Sequence, residues 1–211
     1  MILFVIIILF LMSQKTNMEK MLQGESYWAN DPEILKARDK AYDICLEYNK
    51  TSTSENEKRT EIIKKLFKKT GNNFCLVPRI NVDYGFNISI GDNFYSNYNL
   101  VILDEAEVNF GNNVFVGPNC SFYTACHPID YEQRNACYEY SKKINVGNNV
   151  WLGGNVVVCP GVTIGDGSVV GAGSVVTRDI PPNVVAYGNP CKAKRQITEK
   201  DKINIEGVEI K

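Results

Sequence analysis

Residues 144–179 read INVGNN VWLGGN VVVCPG VTIGDG SVVGAG SVVTRD, and this stretch decides the fold because its pattern repeats every six residues. The third residue of each hexapeptide is aliphatic, and in four of the six hexapeptides a small residue follows it. A tight corner at that point needs a residue without a bulky side chain. A period of six fits neither the 3.6-residue period of a helix nor the alternation of a hairpin strand. Each hexapeptide is therefore predicted to be a short strand and a corner, with its aliphatic side chain inside a stack of coils. The inward phase consists of Val146, Leu152, Val158, Ile164, Val170 and Val176.

An earlier block has the same period, which predicts a mainly β chain: a left-handed parallel β-helix. The phase shifts by two residues near LDEAEV (103–108), which predicts a slightly longer corner there. Residues 123–143 are polar and aromatic and lie outside the period, so we expect a loop projecting from one coil. Long loops on rigid scaffolds tend to be functional. The first phase holds Tyr84, Ile90, Ser96, Ile102 and Val108, and the shifted phase holds Phe110, Val116 and Phe122.

Two helices are predicted ahead of the coil, where a stack of repeats needs a cap. Asp31 and Pro32 are typical of an N-cap and a first helical position. Ser54 and Glu57 resemble a capping box that opens a second helix, which Gly71 would close. The predicted segments are an apolar leader or extension (1–17), the helical cap (18–72), the β-helix (73–190) with its loop at about 123–143, and a C-terminal tail (191–211).

The composition excludes several classes of function. A formal net charge of −1 gives no reason to expect nucleic acid or an anionic membrane as a partner. The seven cysteines form no C-x-x-C pair and the chain has one histidine, so no zinc site and no metal are expected. This cysteine usage favours a reducing, cytoplasmic setting.

The first twelve residues, MILFVIIILFLM, are an unbroken apolar run. The run is shorter than the roughly 20 residues that span a bilayer, and it lacks the basic start and the cleavage site of a signal peptide. We interpret it as an extension upstream of Met18 and expect no membrane partner. A signal peptide or an anchor is the alternative.

The only histidine, His127, lies in the projecting loop. An imidazole takes a proton from a hydroxyl near neutral pH, so His127 is the candidate general base. Acyl transfer from a thioester also needs a donor for the developing oxyanion, and the Asn97 amide is a candidate for it. Read from residues alone, Asn97 is equally a polar corner residue. Cys126, beside His127, offers a covalent alternative in which its thiolate is acylated first.

From about Met18 to about Lys194 the chain resembles the maltose and galactoside O-acetyltransferases of the hexapeptide-repeat family. The specific segments are YTACHPID (123–130) and FYSNYN (94–99); the others are GESYWANDPEI (24–34), DYGFNISI (83–90) and the closing run VGNN…YGNP (146–190). The resemblance implies direct transfer from acetyl-coenzyme A to a sugar hydroxyl, with His127 as proton acceptor, Asn97 as transition-state stabiliser and Glu139 orienting the imidazole. It also implies a homotrimer with active sites in the clefts between neighbouring coils.

The same resemblance assigns the binding residues. The sugar side is carried onto Asp31, Arg38, Asp83, Asn97, Asp104 and Glu105. Coenzyme A is carried onto Gly154, Ala172, Thr177, Arg178, Lys192 and Arg195, whose basic members suit phosphate groups.

The chain departs from the family pattern in three places. Lys143 replaces a common proline, no acid stands two residues before Asp31, and the leader has no counterpart. The second difference argues against a galactoside acceptor, and the segments DYGFN and YTACHPID resemble the maltose type more closely. Two alternatives stay open: an acetyltransferase for an amino sugar or an antibiotic, and a non-catalytic trimeric scaffold.

Overall fold

The computed structural model describes residues 15–52 and 54–203, and the coil is a parallel β-helix with three sheets. Sheet 1 contains β2 (Lys69–Thr70), β5 (Ile88–Ile90), β8 (Val108–Phe110), β13 (Ile144–Val146) and β16 (Thr163–Ile164). Sheet 2 contains β3 (Cys75–Leu76), β6 (Tyr95–Ser96), β9 (Phe115–Val116), β14 (Trp151–Leu152), β17 (Val169–Val170), β19 (Val184–Tyr187) and β20 (Lys192–Gln196). Sheet 3 contains β4 (Ile80–Val82), β7 (Leu100–Leu103), β10 (Ser121–Tyr123), β15 (Val157–Val158) and β18 (Val175–Val176).

All variation in coil length falls at one corner, between sheet 3 and sheet 1, which we call the variable corner. From sheet 1 to sheet 2, and from sheet 2 to sheet 3, equivalent inward residues are always six apart, as in Val146, Leu152 and Val158. The variable corner alone departs from this spacing. Its steps run from Val82 to Ile90, Ile102 to Phe110, Phe122 to Val146, Val158 to Ile164 and Val176 to Ile180.

The longer corner predicted near LDEAEV is one of these steps, and it has the same length as the step before it. The structure places two residues, Tyr84 and Val108, outside the phase predicted for them. Tyr84 is a corner residue, and Val108 is aligned with Ile88 and Ile144, two positions before the inward phase used above. Both side chains are buried and hydrophobic, so residue type does not distinguish them from members of that phase.

The six-residue period has two physical causes. Its aliphatic side chains fill the interior; Leu152, Val158 and Ile164 are fully buried. The glycines after Leu152 and Ile164, Gly153 and Gly165, do not have positive φ angles. Instead, a Cβ at Gly153 would approach the backbone nitrogen of Ala172, in the next coil, to 2.6 Å, so the coils stack closely only if that residue is small.

Asparagine occupies most of the left-handed corner positions, which non-glycine residues other than Asn and Asp rarely adopt. Asn113 has φ 55°, accepts a side-chain hydrogen bond of 2.9 Å from Asn93 and donates one of 3.0 Å to Asn149. The other left-handed asparagines are Asn73, Asn93, Asn99, Asn119, Asn149, Asn155 and Asn183. The sequence reasoning above did not identify these residues as corners.

Three helices form the cap: α1 (Asn17–Leu22), α2 (Pro32–Asn49) and α3 (Asn56–Leu66). Their side chains form hydrogen bonds with backbone N–H and C=O groups of the edge strands of the first coil. The Asn49 side chain bonds both the N–H and the C=O of Ile80 at 2.8 Å, and Tyr48 and Arg59 donate to the C=O of Leu76. Open sheet edges are thereby closed with side-chain hydrogen bonds.

Asp31 and Pro32 open α2 as predicted, but the capping box at Ser54 and Glu57 is wrong. Helix α3 begins after Glu55 without a side-chain cap, and it ends at Leu66 because Phe67 is extended, well before Gly71.

The two ends of the chain also differ from expectation. Residues 1–14 of the expected leader lie outside the described residues, but Thr16 and Asn17 belong to the cap, and Thr16 forms a capping box with Glu19. In the expected C-terminal tail, the described residues include β20, which pairs antiparallel with β19, and a 3-10 helix at Glu199–Asp201; residues 204–211 lie outside the described residues. Within the described residues, no helix has the length and apolar character needed to cross a membrane.

Candidate active site

Polar side chains from three successive coils meet at the variable corner. Asp83 lies in the first eight-residue step, Asp104 and Glu105 lie in the second, and the projecting loop fills the third. Because the coils stack, these groups lie one above another along one edge of the β-helix. The corner is where the chain can add residues without disturbing the inward phase.

The loop is an ordered structure of its own. It contains β11 (Ala125–Cys126), a short helix α4 (Tyr131–Asn135) and β12 (Tyr138–Ser141), and β11 and β12 pair antiparallel. A two-residue strand from the cap, β1 (Tyr27–Trp28), adds to the other side of β12, with Tyr27 opposite Glu139. The cap segment therefore fixes the loop.

His127 follows β11 and faces Glu139 on β12. Its Nδ1 lies 3.7 Å from Oε1 of Glu139, and the other carboxylate oxygen accepts a 2.7 Å hydrogen bond from the Tyr27 hydroxyl. The His127 side chain is 57% exposed and that of Glu139 is 19% exposed. With Nδ1 turned towards a carboxylate, Nε2 is the nitrogen that is free to accept a proton.

Asp83, which is half-buried, and Glu105, which is buried, form an acidic pair beside this dyad. Burial raises the pKa of Glu105, and the neighbouring carboxyl group of Asp83 raises it further. The Thr124 hydroxyl lies 3.2 Å from Oε2 of Glu105. Two carboxyl groups in contact share a proton more readily than two charges, so the pair can both donate and accept hydrogen bonds.

Two of the predicted sugar-binding carboxylates, Asp104 and Asp31, form hydrogen bonds with groups of the same chain. Asp104 is fully buried and accepts from the backbone N–H groups of Asp83, Tyr84 and Asn87. Burial raises its pKa to about 7. Asp31 accepts from the backbone of Glu33 and from the side chain of Asn17, hydrogen bonds that lower its pKa. Asp104 shapes the corner, and Asp31 caps α2.

Arg38 on α2 is half-buried and lies near Tyr84 of the variable corner: burial raises the pKa of Tyr84, and the positive charge of Arg38 opposes that rise. Arg38, Asp83 and Glu105 are therefore the predicted sugar-side residues that the structure brings together.

Asn97 lies elsewhere, at the corner between sheets 2 and 3. Its backbone N–H donates to Val116, and its side-chain oxygen accepts from the N–H of Tyr98 at 2.8 Å. Among the described residues the amide nitrogen has no hydrogen-bond partner, so it is the free donor. Strand β7, about 13 Å long at 3.3 Å per residue, separates this corner from the variable corner. One chain does not place Asn97 beside the His127 dyad.

The residues assigned to coenzyme A fall on both edges of sheet 3. Gly154 lies at the corner of Asn97 and accepts from Gly173, the neighbour of Ala172. Thr177, Arg178 and Lys192 line one cavity of about 460 Å³ near the C-terminal end of the coil. Arg195 does not line it, since its guanidinium forms a two-bond pair with Asp201 at 2.8 and 2.6 Å.

The described residues hold no group of three metal-ligating side chains. Cys126 is half-buried, and burial raises the pKa of its thiol, which disfavours the thiolate that covalent catalysis needs.

Tyr27 was not predicted as a site residue from the sequence. Its partner, Glu139, is 112 residues away, and the pairing of the short strands β1 and β12 leaves no periodic signal.

Comparison with known proteins gives a consistent result. The maltose acetyltransferase hexapeptide capping motif matches residues 20–71, and the bacterial transferase hexapeptide motif, with six repeats, matches residues 143–178. A putative acetyltransferase of Saccharomyces cerevisiae is 52% identical over 87% of this chain and 94% of its own length. The galactoside O-acetyltransferase of Escherichia coli is 50% identical over 75% of this chain and 78% of its own length.

Two solved structures have the same fold. A maltose O-acetyltransferase from Clostridium difficile superposes with a TM-score of 0.86 at 46% identity, covering 88% of this chain and 99% of the other. A galactoside acetyltransferase in complex with coenzyme A gives a TM-score of 0.86 at 40% identity, covering 94% and 100%.

Proposed function

Since the chain belongs to the hexapeptide-repeat acetyltransferases related to the maltose and galactoside O-acetyltransferases, we propose that it acetylates a sugar hydroxyl with His127 as general base. The resemblance stated from its motifs is confirmed, and the protein is an enzyme that uses acetyl-coenzyme A. The observation that carries the proposal is the His127–Glu139 pair, held on a fixed loop at the variable corner.

In the proposed reaction, Nε2 of His127 takes the hydroxyl proton while the hydroxyl oxygen attacks the thioester carbonyl. The carbon–sulfur bond then breaks, and the proton passes from His127 to the departing thiolate of coenzyme A. Glu139 keeps Nδ1 protonated and stabilises the imidazolium. The free amide nitrogen of Asn97 donates to the oxyanion, a contribution on the order of 10²- to 10³-fold in rate.

Asn97 can meet His127 only if two chains share one site. A cyclic trimer achieves this when the corner of Asn97 in one subunit faces the variable corner of the next. The proposed homotrimer therefore has active sites in its clefts, each with a dyad from one subunit and an oxyanion donor from its neighbour.

The proposed acceptor pocket contains Arg38, Asp83 and Glu105. A sugar presents several hydroxyls that both donate and accept hydrogen bonds, and an acid pair that shares a proton can match them. Asp31 and Asp104 support this pocket through the backbone bonds described above. In the same cleft Gly154 and Ala172 would let the cofactor approach the coil, while Thr177, Arg178 and Lys192 suit its phosphates.

The proposal is tested by His127→Ala, with Glu132→Ala as the matched control because Glu132 is an exposed residue of the same loop. We expect His127→Ala to fold, to bind coenzyme A and to lose at least about 100-fold in turnover, measured as free thiol released with a panel of sugars. Full turnover by His127→Ala would contradict the mechanism. Amino sugars and aminated antibiotics in the panel test the alternative acceptors, and the absence of turnover by the native enzyme with every acceptor would favour a scaffold.

A further inference from the structure

We propose that Tyr27 is a positioning residue for the reaction: its hydroxyl holds one oxygen of Glu139 so that the other oxygen faces His127. The inference rests on the proposed role of His127. Tyr27 touches neither the imidazole nor any reacting atom in this arrangement, so it acts only through Glu139.

The side-chain geometry forms a chain of three groups. The Tyr27 hydroxyl donates to Oε2 of Glu139 at 2.7 Å, and Oε1 of the same carboxylate lies 3.7 Å from Nδ1 of His127. Exposure increases along the chain: Tyr27 is 1% exposed, the Glu139 side chain 19% and the His127 side chain 57%. A buried end and an exposed end are expected if a rigid group orients a reactive one.

The backbone holds the same arrangement. Tyr27 pairs with Glu139 in register between β1 and β12, and the N–H of Ala29 donates to the C=O of Cys137 at 2.9 Å. On the other side of Glu139, the Ser141 hydroxyl donates to the C=O of Met21. The segment from α1 to β1 therefore contacts β12 and the residue before it on both sides of Glu139 in sequence. Within this segment, Tyr27 contacts the Glu139 side chain itself.

The electrostatic setting keeps Tyr27 a donor. Burial, followed by the hydrogen bond and the charge of Glu139, holds its pKa far above the ordinary value of 10. The hydroxyl thus stays protonated at any working pH, and Glu139 must be the acceptor. An oriented carboxylate fixes both the tautomer and the ring position of an imidazole, which is the role that second groups play behind catalytic and metal-bound histidines.

The test compares Tyr27→Phe with Tyr48→Phe. Tyr48 is equally buried, and its hydroxyl donates a 2.6 Å bond to the C=O of Leu76 in the first coil and accepts from Arg59. Tyr48→Phe therefore carries at least the structural cost of Tyr27→Phe, but away from the site. We expect Tyr27→Phe to lower kcat about 10-fold with the KM for acetyl-coenzyme A changed less than about 2-fold, whereas Tyr48→Phe keeps the native kcat. Equal kcat values for the native enzyme and Tyr27→Phe would overturn the inference.

A double-mutant comparison separates positioning from general destabilisation. If Tyr27 acts through Glu139, adding Tyr27→Phe to Glu139→Gln lowers kcat no further than Glu139→Gln alone. Multiplying losses would show that Tyr27 acts by another route and would overturn the inference. If Tyr27→Phe alone fails to fold, Glu139→Asp replaces it: the shorter side chain breaks the same contact, and a native kcat in that variant would overturn the inference. Activity retained by His127→Ala would instead remove the proposed function itself, so the two failures are distinguishable.

Discussion

Two inactive variants should restore each other's activity if each site draws residues from two chains. His127→Ala chains keep Asn97, and Asn97→Ala chains keep His127, so a mixed trimer can join the intact residues across one interface. In a three-fold ring, every trimer that contains both kinds of chain has one interface in the correct order. Purified mixed trimers should therefore show about a third of the native turnover per trimer, and random co-assembly about a quarter.

The assay uses co-expression with two different affinity tags, sequential purification and measurement of coenzyme A thiol release. Separately purified variants, mixed without subunit exchange, are the control and should stay inactive. The expectation of a shared site follows from the positions of the two corners, because β7 lies between Asn97 and the variable corner in every chain. Mixed trimers no more active than the single variants would refute a shared site.

Three further predictions follow from the same geometry. Burial raises the pKa of Glu105 in the folded state from 4.5 to about 9. Between these two values the folded state binds a proton that the unfolded state has lost, so the free energy of unfolding should fall as pH rises. Glu105→Gln should flatten this dependence in denaturant titrations at pH 5 to 9. Cys126→Ser should keep turnover within about 3-fold, since direct attack requires no thiolate, and an acetyl group trapped on Cys126 by mass spectrometry would contradict this. Asn113→Ala should be about 1 to 2 kcal/mol less stable than Asn113→Gly, because both lose the bonds to Asn93 and Asn149 but only alanine is strained at φ 55°; equal denaturation midpoints would contradict it.

The repeat was predictable because one physical requirement, an apolar side chain at each inward position, recurs without interruption from Val146 to Val176. The first block was harder to interpret. Tyr84 is buried at the corner rather than in the coil, and hydrophobicity does not distinguish the two environments. Helix α3 illustrates another limit, since Arg59 is fixed by Tyr48 and by the edge of the first coil, and contacts of that kind leave no local signal.

The candidate site divides in the same way. His127 could be found from the sequence because it is the only histidine and lies outside the period. The carboxylates could not be sorted from the sequence: Asp104 bonds three backbone N–H groups, whereas Glu105, its neighbour, pairs with Asp83. Adjacent acids at a corner point in different directions, and only the backbone path determines which one reaches a ligand.

The variable corner explains why this rigid coil has its polar groups where it does. Sheets 1 and 2 and the corners that follow them cannot change length, because a shift of one residue would turn every inward side chain outward. The corner between sheets 3 and 1 holds two extra residues in each of the first two coils and the whole loop in the third. Phe122 and Val146, on either side of the loop, keep their inward positions. Insertions at one corner of successive coils necessarily stack, so Asp83, Glu105 and the His127 loop are brought together by the same tolerance. If this is correct, deleting two residues from the corner at 103–108 should leave a folded coil, measured by cooperative unfolding, but remove turnover; loss of the folded coil would show that the eight-residue step is itself required for stacking.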